Sequence, residues 1–173
     1  MEERDVIQLL RHYRHDLLNQ LQIIDGYLSM GKGEKARIKL ADYVGHLQKE
    51  SKLMNLNAPL FALYVLQLDT LHPNFRSSYY IHSENMDLHQ VDQLLVEYFQ
   101  KIMAITENMI DVMELYELKL HIYDKNSGIV QLELIINGRF PDLSTLVETM
   151  GKVNEMITVS EHGDGITCAV CIP

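Results

Sequence analysis

The N-terminal part of the chain carries apolar side chains at helical spacing. From Val6 to Met30 they recur at two heptad positions three residues apart, with Ile7, Leu21 and Leu28 at the first and Leu10, Leu17 and Ile24 at the second. Such a seam is typical of a coiled coil or a helix bundle. Arg14 also occupies a seam position, and Leu18 and Ile23 widen the apolar stripe. This width predicts packing against more than one other helix.

A second helix is predicted after a short connection that contains glycine. Residues 29–34 include Gly31 and Gly33, which favour the end of a helix. From about Glu34 to Asn55 an apolar helical face is formed by Ile38, Ala41, Val44 and Leu47. Together the two segments predict an antiparallel helical hairpin. Because a lone hairpin cannot bury its whole apolar stripe, we expect it to dimerise into a four-helix bundle.

The pattern changes at Pro59, because a proline restricts the residue before it and tends to close off a helix. Downstream, helical and alternating segments are interleaved. The predicted elements are a helix at 60–71, a strand at 79–82, a helix at 91–109, strands at 118–123 and 129–136 around a turn at 125–128, a helix at 142–150, and strands at 153–159 and 166–172. We expect two domains, residues 1–57 and 58–173. The second is predicted to be an α+β sandwich, a mainly antiparallel sheet covered by helices on one side.

Composition and charge narrow the possible functions. The chain has 173 residues, 47% of them hydrophobic and 23% charged, as in an ordinary globular protein. Its net charge of −9 argues against nucleic acid as the main partner, because phosphate binding needs a positive surface. Residues 1–57 carry nine basic and eight acidic side chains. Residues 58–173 carry six basic and sixteen acidic side chains. The hairpin is therefore nearly neutral, and the second domain holds the acidity.

Several features predict a soluble, cytoplasmic protein with no membrane partner. Cys168 and Cys171 are too few for the disulfide framework of a small secreted protein. The charged N-terminus leads directly into a helical pattern and lacks the apolar core of a signal peptide. No apolar run approaches the roughly 18 residues that would predict a membrane-spanning helix.

The residues around His15 combine groups suited to phosphoryl chemistry. His15 lies one step past the seam, so we expect its imidazole on the outer face of the first helix, with Asn19 and Gln22 following on that face. Histidine is a nucleophile at near-neutral pH and can form a labile N–P bond. The neighbouring Asp16 can hydrogen-bond one ring nitrogen and leave the other free to attack. A surface histidine without such neighbours is usually not catalytic.

The first helix resembles the phosphoacceptor helix of the sporulation initiation phosphotransferase B family in the string Arg14-His15-Asp16-x-x-Asn19-x-Leu21-x-x-Ile24-x-Gly26. That family is related to the phosphoacceptor domain of citrate-type sensor histidine kinases. The resemblance implies that His15 is the phosphoacceptor and that Arg14, Asp16 and Asn19 are its catalytic neighbours. It also implies a homodimeric four-helix bundle followed by a small sandwich that resembles a degenerate histidine-kinase ATPase domain.

The presence or absence of ATP-binding motifs in the second domain distinguishes a kinase from a phosphotransferase. A kinase of this type binds ATP with an asparagine-rich helix that holds Mg²⁺, an Asp-x-Gly turn and a glycine-rich lid. The helix around residues 97–108 has no Asn-x-x-x-Asn spacing, and residues 137–142 contain neither Asp-x-Gly nor a lid. Asp164 and Gly165 fall in a predicted hairpin turn with too little chain after it for a lid. The sequence therefore predicts an ATPase-like domain without its nucleotide site.

The resemblance implies a phosphorelay in sporulation-type two-component signalling. His15 would accept a phosphoryl group from the aspartyl phosphate of one response-regulator receiver domain and pass it to the aspartate of another. The receiver would supply Mg²⁺, so we expect this chain to bind no cofactor or metal of its own. Leu18 and Gln22 would contact the receiver, and the basic residues Lys32 and Lys35 would meet its acidic groups.

Three other functions remain open at this point. The chain could be a divergent histidine kinase that labels itself from ATP. It could instead be a non-catalytic dimer that docks on a receiver or kinase and inhibits it. A metal or redox site formed by Cys168 and Cys171, with His162 as a third ligand, is the weakest alternative, because the two cysteines should point to opposite faces of a strand.

Overall fold

The computed structural model describes residues 3–83, 86–125, 129–152 and 156–173. The chain separates into two compact units, residues 1–50 and residues 51–173. Within the described residues, no helix is both long enough and apolar enough to cross a membrane.

The first unit contains two long helices joined by a tight turn, and the second of these helices continues for four residues beyond the unit. Helix α1 spans Glu3–Ser29, and helix α2 begins at Gly33 and ends at Met54. Gly31 has a φ of 68°, a left-handed conformation that favours glycine. Its N–H donates to the carbonyl of Leu28 and the N–H of Lys32 donates to the carbonyl of Tyr27, both at 2.9 Å. These two bonds form a Schellman motif, which ends α1 and lets the chain reverse into α2.

The seam of α1 is largely uncovered in the single chain. Leu10, Leu17 and Leu21 are 53%, 41% and 47% exposed. In α2, by contrast, Ala36 and Glu50 are buried, and Tyr43 between them is half-buried. These three residues recur every seven positions, which indicates the face that α2 presents to α1. The helix pair therefore buries a narrow stripe and leaves the α1 seam available.

The described residues of the second unit form four helices, one 3₁₀ turn and a five-stranded sheet. In chain order the elements are α3 (Pro59–Leu66), α4 (Leu68–Leu71), β1 (Phe75–Ile81), a 3₁₀ turn (His89–Val91), α5 (Asp92–Glu107), β2 (Tyr116–Lys125), β3 (Ile129–Asn137), α6 (Leu143–Gly151), β4 (Ile157–His162) and β5 (Gly165–Ile172). The strand order is β1-β2-β3-β5-β4. Strands β1 and β2 are parallel, and the other neighbouring pairs are antiparallel.

The sheet buries one face against the helices. On β2, Leu118, Leu120 and Ile122 are fully buried, whereas the residues between them are half-buried. Phe61 of α3 and Phe99 of α5 belong to the same apolar core as these strand residues. A sheet with helices on its buried face confirms the predicted α+β class.

Several predicted elements differ at their ends. The helix predicted at 60–71 is divided into α3 and α4 at Gln67. Strand β1 begins at Phe75, earlier than predicted, because Phe75 is buried and pairs with Tyr116 of β2. Residues 126–128 of the predicted turn and 153–155 of a predicted strand lie outside the described residues. The expected domain boundary after Asn57 falls between the end of α2 and the start of α3.

Two histidines meet on the less buried face of the sheet, opposite the helices. Nε2 of His82 and Nδ1 of His121 are 2.8 Å apart, and the angle between the two ring planes is 9°. Tyr80 stacks on His121 at 4.8 Å between ring centroids, and Tyr123 stacks on His82 at 4.3 Å. Because one ring must donate an N–H to a lone pair of the other, this hydrogen bond requires at least one neutral imidazole.

We expect this pair to make stability depend on pH. Burial lowers the pKa of His121, as do nearby His82 and Lys119, whereas Glu133 opposes the shift. The pKa of His121 is thus lower in the folded protein than the value of about 6.5 expected in the unfolded chain. The stability that comes from the neutral imidazole is therefore present above about pH 6.5 and is lost as the pH falls through the folded-state pKa. Thermal unfolding at about pH 7.5 and about pH 5.5 should show a larger loss of stability for the wild type than for His121→Gln. Equal losses in the two proteins would contradict this assignment.

Candidate functional site

His15 lies in the middle of α1 with its imidazole open to solvent. The side chain is 70% exposed and that of its neighbour Asp16 is 58% exposed. Since each residue turns an α-helix by about 100°, His15 lies on the side of α1 away from the seam residue Leu17, which is two residues further along. The helix therefore presents its apolar seam and its imidazole in different directions.

Two side chains compete for one nitrogen of this imidazole. Oδ1 of Asp16 and Nδ2 of Asn19 each lie 3.2 Å from Nδ1 of His15. A protonated Nδ1 donates to the carboxylate, whereas an unprotonated Nδ1 accepts from the amide, so the two bonds belong to different tautomers. A hydrogen bond to an ionised group is the stronger of the two. The arrangement therefore favours the Nδ1–H tautomer and leaves the lone pair on Nε2.

Asn19 also approaches the second ring nitrogen. Its Nδ2 lies 3.5 Å from Nε2 of His15, at the limit of hydrogen-bond distance. The amide is thus placed beside the nitrogen that is free to react. In this position it can orient the ring or contact a group that the ring attacks.

His12 is a member of this cluster that the sequence analysis missed. Its Nε2 lies 3.6 Å from Oδ2 of Asp16, while the other carboxylate oxygen faces His15. Asp16 therefore lies between two imidazoles. The signal in the sequence is the spacing of four residues from His12 to Asp16, which places them one helical turn apart.

The remaining predicted site residues fall into two groups. Leu18 and Gln22 are exposed on the same side of α1 as His15, and Arg14 is exposed beside them. Lys32 and Lys35 lie at and just after the turn, where the Nζ of Lys32 is 3.8 Å from the sulfur of Met30. Ser29 at the end of α1 is fourteen residues from His15, about 21 Å along the helix axis at 1.5 Å per residue, and both lysines come after this end in the chain. The structure thus brings Asp16 and Asn19 to His15 but does not bring the lysines there.

The basic residues near the turn are not equivalent. Arg37 makes two hydrogen bonds to Glu34, at 2.8 and 3.1 Å. This pairing lowers the pKa of the Glu34 carboxyl and raises that of the Arg37 guanidinium. The charge of Arg37 is thus partly neutralised within α2, which leaves Lys32 and Lys35 as the better candidates for contact with an acidic partner.

The cysteines do not form a redox or metal pair. Cys168 is buried and Cys171 is exposed, on opposite faces of β5. Burial raises the pKa of the Cys168 thiol to about 12, so it stays protonated and unreactive. Throughout the described ranges, no group of three or more His, Cys, Asp and Glu side chains is arranged to hold a metal ion.

The contact between Asp16 and His15 predicts which nitrogen carries the proton. We expect ¹⁵N NMR spectra of neutral His15 to show Nδ1 as mainly protonated and Nε2 as mainly unprotonated. Asp16→Asn should shift this distribution toward the other tautomer, because the charge-assisted acceptor is lost. An unchanged distribution in Asp16→Asn would show that the carboxylate does not select the tautomer.

The N-terminal part of the chain is similar to a known protein family. Residues 1–56 match the family described as sensor kinase SpoOB-type, alpha-helical domain. Sporulation initiation phosphotransferase B of Bacillus subtilis (strain 168) is 31% identical to this chain over 106 residues, which are 61% of this chain and 55% of that protein. The chain thus spans about half the length of this curated relative. The two matches confirm the resemblance that was inferred from the residues around His15.

Solved structures of histidine kinases are similar at low identity. The Erythrobacter litoralis EL346 blue-light activated histidine kinase aligns with 100% of this chain and 60% of its own, at 15% identity and a TM-score of 0.47. The catalytic domain of histidine kinase ThkA aligns with 70% of this chain and 92% of its own, at 16% identity and a TM-score of 0.45.

Proposed function

Because residues 1–56 match the family described as sensor kinase SpoOB-type, alpha-helical domain, we propose that this protein is a phosphorelay phosphotransferase. His15 accepts a phosphoryl group from the aspartyl phosphate of one response-regulator receiver domain and passes it to the aspartate of another. The observation that best supports this proposal is an exposed imidazole whose Nδ1 lies 3.2 Å from a carboxylate oxygen of Asp16. Such a ring has a free nucleophilic nitrogen and a partner for its N–H.

The transfer proceeds by in-line displacement at phosphorus. The lone pair of Nε2 of His15 forms the N–P bond while the P–O bond to the receiver's aspartate breaks, and the electrons of that bond leave with the carboxylate. The imidazole keeps its proton on Nδ1 and acquires positive charge. The carboxylate of Asp16 offsets this charge, and the reverse steps deliver the group to a second receiver. The receiver supplies Mg²⁺, and this chain binds no cofactor.

The surface around His15 provides the contacts for a receiver. Leu18 is 52% exposed and offers an apolar contact, and Gln22 can hydrogen-bond to the docked domain. Lys32 and Lys35 extend the docking surface toward the turn and meet acidic groups of the partner. Arg14 is close enough along α1 to offset charge on the phosphorylated ring.

The protein acts as a homodimer. The exposed seam of α1, including Leu10, Leu17 and Leu21, is the kind of apolar stripe that a soluble protein covers by association. Two hairpins that pack seam against seam form a four-helix bundle. The imidazole of His15 then stays outside, because it lies away from the seam.

The second domain is an ATPase-like sandwich that has no nucleotide site. In a kinase of this type an asparagine-rich helix holds the metal. Helix α5 contains no Asn-x-x-x-Asn pair. Asn108 follows its last residue, Glu107, and is the C-cap of the helix. We therefore propose that the phosphoryl group comes from a receiver and not from ATP. A sporulation-type pathway is the output suggested by the Bacillus subtilis relative.

Replacing the nucleophile tests the central step. We expect His15→Ala to abolish the labelling of this protein by a ³²P-phosphorylated receiver, because the variant lacks the imidazole that forms the N–P bond. His46→Ala is a matched control, because His46 is also an exposed histidine of the hairpin, 60% exposed on α2. Undiminished labelling of His15→Ala would refute the proposal.

The same assay separates the alternative functions. Incubation of the wild type with labelled ATP and Mg²⁺, without a receiver, should leave it unlabelled. Labelled His15 under these conditions would identify a histidine kinase instead. Tight receiver binding by both wild type and His15→Ala, with no transfer by either, would identify a docking inhibitor.

The dimer proposal makes a separate prediction. Leu17→Asp places a charge in the seam, and we expect it to convert the dimer into a monomer, because an unpaired buried charge costs several kcal/mol. Asn19→Asp is the control, because Asn19 is nine residues from both Leu10 and Leu28 and so lies on the opposite side of α1 from the seam; it should leave the dimer intact. Light scattering or analytical ultracentrifugation measures the mass. A wild-type monomer, or dimeric Leu17→Asp, would contradict the assignment of the seam.

A further inference from the structure

His12 lies about one helical turn before the proposed nucleophile, and the transfer described above does not use it. Its Nε2 lies 3.6 Å from Oδ2 of Asp16, and both side chains are largely exposed, at 72% and 58%. The other oxygen of the same carboxylate, Oδ1, lies 3.2 Å from Nδ1 of His15. One carboxylate therefore joins two imidazoles, with a different oxygen toward each ring.

The contact between Asp16 and His15 needs a constraint on the carboxylate. Residues one apart do not face each other on a helix, so the side chain of Asp16 reaches the ring of His15 only when it turns aside from its own direction. An exposed aspartate has several staggered rotamers, and only some of them point the carboxylate at the preceding residue. The helical backbone alone therefore does not hold the carboxylate at this imidazole.

His12 lies in the direction that supplies this constraint. At 100° per residue, His12 projects from α1 about 40° from Asp16 and about 60° from His15, between the two. An attraction toward His12 therefore turns the carboxylate toward His15. Because a carboxylate only accepts hydrogen bonds, it favours the forms of His12 that carry a proton on Nε2, and these forms attract it.

A histidine four residues before an acidic residue is not evidence of a role by itself. His46 and Glu50 of α2 have the same spacing, with Nε2 of His46 at 3.1 Å from Oε1 of Glu50. What distinguishes Asp16 is the second imidazole on its other oxygen. We propose that His12 is a positioning residue, which holds the carboxylate of Asp16 at Nδ1 of His15 and so keeps Nε2 of that ring free to attack. This inference rests on the proposed phosphotransfer and adds to it a residue that acts through Asp16.

Loss of His12 should release the carboxylate and change where the proton of His15 lies. When Asp16 turns away, Nδ1 of the neutral ring can accept from the amide of Asn19, whose Nδ2 is 3.2 Å away, and the proton moves to Nε2. A ring in this form has no lone pair on Nε2. The limiting rate of transfer should therefore fall, while the half-saturating receiver concentration stays the same.

The first test is ¹⁵N NMR of the full chain, and it needs no receiver. We expect His12→Ala to lower the Nδ1–H fraction of neutral His15, in the same direction as Asp16→Asn. His12→Gln should restore this fraction, because a glutamine one helical turn from an aspartate can hydrogen-bond to it. His46→Ala is the matched control, since it removes a pair of the same spacing from α2, and it should leave His15 unchanged. An unchanged fraction in His12→Ala, or an equal change in His46→Ala, would overturn the inference.

The second test measures phosphoryl transfer against receiver concentration. We expect His12→Ala to lower the limiting rate about two- to fivefold, as the loss of an exposed ion pair does, with half-saturation unchanged. In an Asp16→Asn background the same substitution should have no further effect, because His12 acts through that carboxylate. Additive losses in the double variant, or a loss confined to half-saturation, would overturn the inference while the proposed function stands. A wild type that accepts no phosphoryl group from any receiver refutes the phosphotransfer itself.

Discussion

The structure depends on one constraint, the apolar seam of α1 that a single hairpin cannot bury. Leu10, Leu17 and Leu21 stay about half exposed in the chain, although burying such side chains is the main source of stability in a bundle. The association that we propose through this seam would fix which sides of α1 remain open to solvent. The imidazole of His15 is exposed on another side of this helix. In the account proposed here, one side of α1 would serve assembly and another would serve chemistry.

The chemistry needs little beyond that open side. Phosphoryl transfer requires in-line positioning and neutralisation of charge, and a receiver that holds Mg²⁺ can provide most of both. The chain adds a carboxylate, Asp16, at 3.2 Å from Nδ1 of His15, and an amide, Asn19, that lies near both ring nitrogens. His12 on the other oxygen of Asp16 extends this cluster toward the N-terminus. All four residues lie on one helix, so their relative positions are set locally.

This local arrangement explains what could be predicted from the sequence. Helical spacing identified α1 and α2, and the residues around His15 could be placed because neighbours three and four apart meet on a helix. The start of β1 was missed because Phe75 to Ser78 do not alternate, and their strand conformation comes from pairing with β2. The contact of His82 with His121 joins residues 39 positions apart and depends on the same parallel pairing. His12 was overlooked although its spacing from Asp16 was visible.

The central claim is that Nε2 of His15 carries the phosphoryl group in transit between receivers. Phosphorus-31 NMR of the protein after incubation with a phosphorylated receiver, combined with mass-spectrometric mapping under alkaline conditions that preserve N–P bonds, tests it most directly. The account predicts one phosphohistidine, at residue 15, with phosphorus on Nε2. Phosphate on Nδ1, on a different residue, or only after incubation with ATP would contradict it.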